Sequence, residues 1–148
     1  MGLRPRYLRA MSDTAVGLAP SWVRVVLIAL SLLTAVGAAG GAAMLITKGL
    51  GDWLVTDTRL GALGFTSWAP GGVLLALGVA LPMAVAGVMV WANHPWGLMV
   101  ALLAGLALMC WIVVQVTMIG FSTWLQPVFF LVGGAVASFA MLVIRATP

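Results

Sequence analysis

GVLLALGVALPMAVAGVMVWANHPWGLMVALLAGLALMCWIVVQVTMI, residues 72–119, contains no Asp, Glu, Lys or Arg. The uncharged stretch extends further in both directions, from Leu60 to Ile144, which is 85 consecutive residues. A soluble domain carries roughly a quarter charged residues spread along its length. Over this whole chain of 148 residues the charged share is 7%, against 64% apolar. Lipid, rather than water, is the solvent such a chain requires.

A spanning helix needs about 20 mostly apolar residues to cross roughly 30 Å of hydrocarbon. Four segments meet that requirement: 22–46, 72–91, 97–119 and 126–144. A transmembrane β-barrel would instead show alternating apolar and polar residues, and a run such as Val73-Leu74-Leu75-Ala76-Leu77 does not alternate. The expected fold is an all-α membrane protein: one domain over 1–148, with four transmembrane helices in an antiparallel bundle. Residues 1–21 form a basic cytoplasmic N-terminus, and 47–71 an outer loop in which a short interfacial helix is expected.

Charge at the helix ends sets the orientation. Arg4, Arg6, Arg9 and Arg24 precede or open the first span, and Arg145 closes the fourth. Lys/Arg excess holds a flank in the cytoplasm, so both termini are expected inside. Lys48 and Arg59 fall in the outer loop, where Asp52 and Asp57 offset them. Trp22, Trp91 and Trp96 then lie at the inner boundary, and Trp53, Trp68 and Trp124 at the outer one, as indoles do in membrane proteins. Only Trp111 falls within a span. The basic start and the small residues at 38–43 also resemble a signal peptide, but the apolar run resumes at Met44-Leu45-Ile46, long enough to span. Met11-Ser12-Asp13-Thr14 reads as an alternative start, and translation from it would remove three arginines. Glu is absent and Arg outnumbers Lys six to one, a composition of GC-rich bacterial genomes. The location expected is the bacterial plasma membrane.

Lipid gives helices no hydrophobic reason to associate, so small residues that let backbones approach are the packing candidates. They are Gly37 and Gly41 in the first span, Ala76, Ala80 and Ala84 in the second, Gly97, Ala101 and Gly105 in the third, and Gly133 and Ala137 in the fourth. The pair Gly134 and Ser138 offers the fourth span a second small face. Pro82 removes a backbone hydrogen bond and should bend the second span. Ala92-Asn93-His94-Pro95 makes a short inner turn, with Pro95 suited to a helix start just after it.

Few side chains here can do chemistry. Cys110 and His94 are each single in the chain, too few to build a zinc site, and the spans hold no carboxylate for proton transfer. Neither a cofactor nor a metal is expected, and no basic face for nucleic acid. The remaining polar candidates lie at the outer end. Gln115, Thr117 and Gln126, with Ser122 and Thr123 nearby, could hydrogen-bond across helices or line a cavity, and Asp52 and Asp57 could form a loop site for a cation or lipid headgroup. Helix packing and loop solubility account for the same residues without a site.

The segment Trp111–Gly120, ending in Gln115-Val116-Thr117-Met118-Ile119-Gly120, leads into Trp124-Leu125-Gln126-Pro127, with Phe129 and Gly133 beyond. It resembles small four-helix integral membrane proteins of actinobacteria. There a Gln late in helix three precedes an Ile-Gly turn, and Trp-Leu-Gln-Pro or Trp-Leu-His-Pro opens helix four. The resemblance covers the last third of the chain, implies the same fold and membrane location, and brings no activity. The expected role is non-enzymatic: an accessory or scaffold subunit or a small homo-oligomer, with the lipid bilayer and a membrane protein or second copy as partners. A small-solute or lipid conduit is the alternative.

Overall fold

A computed structural model describes residues 21–48, 67–121 and 124–146, and every element among them is helical. Helix α1 spans Ser21–Lys48. Helix α2 runs over Ala69–Trp91, α3 over Gly97–Ile119, and α4 over Leu125–Ala146. All four are long and apolar enough to cross a membrane. The basic N-terminus, the outer loop with its expected interfacial helix, and the start at Met11 lie outside the described residues.

The start of α1 lies beside the end of α2, and the start of α2 beside the end of α1. Arg24, near the start of α1, reaches Val90 and Trp91 at the end of α2. Gly72, near the start of α2, lies against Ala42, Leu45 and Ile46 near the end of α1. Helices α2 and α3 pack together across their short turn; α1 with α2 forms the most extensive contact, and α3 with α4 the next. Trp22 of α1 meets Phe139 of α4 edge-on, with ring centroids 6.2 Å apart and planes at 85°.

Pro82 acts through a local change of helical pitch. The α-helix gives way to a π-helical stretch at Ala76–Ala80 and resumes at Leu81. There the Leu81 N–H donates to the Ala76 carbonyl, one residue further back than in an α-helix. Proline has no N–H, and its ring clashes with the carbonyl four residues earlier. The wide turn just before Pro82 makes room for both effects.

The end of α2 shows how a helix terminus is satisfied. The last four carbonyls of a helix have no partner within it. Here Val88 O accepts from the Ala92 N–H at 2.8 Å, Met89 O from the His94 N–H at 2.9 Å, and Val90 O from the Asn93 N–H at 3.3 Å. Those last two bonds are the Schellman pattern, which requires a left-handed residue just past the cap. Asn93 supplies it, with φ 56°, a conformation that asparagine tolerates better than most residues. The Arg24 Nη2 completes the set, donating to Val90 O at 2.8 Å and Trp91 O at 2.9 Å. The sequence pattern reads Arg24 as a topology signal; its side chain is also the cap of a neighbouring helix.

Candidate functional site

The small residues divide into those that hold the bundle and those that face away from it. At the α3–α4 crossing, a Cβ added to Gly105 would lie 2.7 Å from the Gly133 carbonyl oxygen, and one added to Gly133 would lie 2.8 Å from the Gly105 carbonyl oxygen. Ala137 backs the same contact, its backbone N 2.8 Å from the added Gly105 Cβ. Backbone lies against backbone there, so only glycine fits at either position. Ala101 and Gly97 share the buried line of α3, with Gly97 set against the backbone of Met89 and Val90.

In α1 the stripe differs from the expected one. Gly37 is exposed with nothing within 4 Å of an added Cβ, and Gly41 is half-buried with only Leu75 at 3.5 Å. The buried line is Leu27, Ser31, Thr34, Ala38 and Ala42, a helical 3–4 spacing that leaves Gly37 on another face. In α2, Ala80 is buried while Ala76 and Ala84 are half-buried. The buried line there passes through Gly72, Val79, Met83, Ala86, Gly87 and Val90. The i, i+4 stripe assumes an unbroken α-helix, and the π turn rotates the face partway along. Sequence reading missed Gly72 and Gly87. A Cβ on Gly87 would lie 2.7 Å from the Leu32 side chain and 3.4 Å from Ser31 Cβ; a glycine opposite a serine on the next helix was the available signal.

The polar candidates separate in the same way. Gln126 is buried at 3% exposure, and its Nε2 donates to the Gly120 carbonyl at 3.1 Å. That bond ties the start of α4 to the end of α3. Gly120 itself holds φ 72° and ψ −172°, a region that glycine alone occupies without strain. Thr117 does not bond across helices: its Oγ1 donates to Val114 O at 2.7 Å within α3, as an exposed helical threonine can. Gln115 is half-buried. Asp52, Asp57, Ser122 and Thr123 lie outside the described residues. Thr117 and Gln126 line a groove of about 420 Å³ between α3 and α4 with Ile112, Val113, Phe121 and Phe130. Its walls are apolar apart from these two, and both are already bonded to backbone, so the groove can hold an apolar chain and has no group for acid–base or nucleophilic chemistry.

At mid-depth, Ser31 is wholly buried and its Oγ has no hydrogen-bond partner; Thr34, one turn on, is 4% exposed. The described residues contain no group of three His, Cys, Asp or Glu side chains placed to hold a metal. Cys110 is exposed on the outside of α3. No protein-family model, curated protein or solved structure matches this chain.

Proposed function

We propose that this chain is a non-enzymatic subunit of the bacterial plasma membrane, an antiparallel four-helix bundle with both termini in the cytoplasm, which works by packing against another membrane protein or a copy of itself. Membership of the small four-helix actinobacterial proteins belongs to the same reading, carried by the Trp-Leu-Gln-Pro segment. One observation supports the subunit role above others. The outer face of α1 combines exposed Gly37, Ala39, Gly40 and Ala43, and added Cβ atoms at Gly37 and Gly40 would meet nothing within 4 Å. Small residues left outside their own bundle allow a further helix to approach closely.

Purification of tagged full-length protein in mild detergent tests this. A stoichiometric partner or a homo-oligomer is expected, and it should be lost in the double variant Gly37→Leu, Gly40→Leu while the helical content of the chain stays unchanged. A lone monomer for the unsubstituted protein contradicts the subunit reading. The π turn beside Pro82 favours one second reading, a conduit, because conduits can work through backbone carbonyls without charged side chains. A monomer that carries solute across liposome membranes would transfer the weight to it.

A further inference from the structure

The end of the bundle where α1 begins and α2 ends holds a charge that nothing described neutralises. Arg24 is half-buried at the seam, and its Nη2 is committed to the carbonyls of Val90 and Trp91. Arginine has five N–H donors and no acceptor, so this clamp fixes the guanidinium while Nε and Nη1 keep theirs. Carbonyl dipoles hold the group in place without cancelling its charge, and the described residues contain no Asp or Glu. Of the other described cations, Lys48 ends α1 at the opposite end and Arg145 lies in the last turn of α4; the Trp22–Phe139 contact brings the start of α1 against α4.

The depth of this charge follows from its neighbours. Arg24 is three residues into α1, about 4.5 Å along its axis. Trp22, Trp91 and Trp96 are exposed at 58%, 69% and 64% beside it in sequence or across the clamp, and exposed indoles mark the headgroup level of a bilayer. His94 occupies the same turn. Its Nδ1 accepts the Trp96 N–H at 3.3 Å, which places the proton of the neutral ring on Nε2, a further donor on an exposed side chain. At this depth the abundant anion is a lipid phosphate, and arginine binds phosphate through paired N–H donors.

We propose that the seam between the start of α1 and the end of α2 is a binding site for the phosphate of an anionic phospholipid, with Arg24 as the fixed cation and His94 as an added donor. The site rests on the membrane placement of the chain and is independent of whether the chain acts as a subunit. A failure here leaves the oligomer test standing, because that test reads stoichiometry.

Native mass spectrometry of the full chain in detergent, titrated separately with phosphatidylglycerol and phosphatidylcholine, reads the site directly. One phosphatidylglycerol should bind ahead of all others, with phosphatidylcholine showing no such first step. Arg24→Gln should weaken that step roughly fivefold, the scale of one cation at a membrane surface. Arg145→Gln, exposed at the same end, should leave it unchanged. His94→Ala, which leaves the Arg24 clamp intact, should weaken it to a smaller extent. Should Arg24→Gln fail to fold, Arg24→Lys carries the test, since it keeps the charge and loses the fork: a loss exceeding that of Arg145→Gln supports the site, and no loss overturns it. Equal binding of the two lipids, or equal losses in Arg24→Gln and Arg145→Gln, overturns it as well. Displacement of the first lipid by inorganic phosphate at matching concentration would reassign the site to free phosphate and overturn the lipid assignment.

Discussion

Gly133→Val separates α3 from α4 and destabilises the protein by about 3 kcal/mol, the upper end of the range for overpacked cores. The magnitude follows from what the new side chain would strike. Its Cβ would lie 2.8 Å from the Gly105 carbonyl oxygen and 3.0 Å from Met109 Cγ. The methionine can swing aside, whereas the carbonyl belongs to a helix backbone and cannot move without the helix. Because α4 packs mainly on α3 and only lightly on α1, no other interface takes over its packing. Thermal unfolding in detergent micelles, followed by circular dichroism, measures the effect. Gly37→Val is the control, and with open space around that Cβ it should leave the unfolding temperature unchanged.

Arg24→Gln gives the second largest loss, about 2–3 kcal/mol, because it removes two charge-assisted bonds to helix-end carbonyls. Val90 O retains the Asn93 N–H, but Trp91 O loses the only donor described for it. The damage is local, so hydrogen exchange should rise at the last turn of α2 and the 92–96 turn while the α3–α4 crossing stays protected. Uniform loss of protection would mean that Arg24 acts on the whole bundle rather than as a cap.

Much of the architecture is legible in the chain because it depends on helix length and charge, which a sequence states directly. The span at 97–119 and the buried line of Gly97, Ala101 and Gly105 need only a regular 3.6-residue period. Where that period breaks, the reading breaks with it. The π turn at Ala76–Ala80 displaces the Ala76 and Ala84 expectation, and only the three-dimensional backbone reveals the turn. Gly37 illustrates a different limit: a small residue has the same spacing whether it faces its own bundle or an outside helix, and in a lipid-facing chain both faces are apolar. Thr117 and Gln126 are both polar and lie three and six residues from Gly120, yet one bonds its own helix and the other ties two helices. Rotamer and turn geometry decide that difference. Arg24 was visible as a charge and invisible as a cap, since its partners are 66 and 67 residues away.

The apolar outside of this bundle calls for a covering of lipid. Leu33, Leu81, Leu106 and Ser138, one near the middle of each helix, are all exposed in the isolated chain. Each can be replaced singly by cysteine in a Cys110→Ser background and offered a membrane-impermeant maleimide in intact vesicles. All four should stay unlabelled until the membrane is dissolved and the protein denatured, while His94→Cys in the turn labels from one side only. Labelling of any mid-helix position in intact vesicles would show water where four membrane crossings require hydrocarbon.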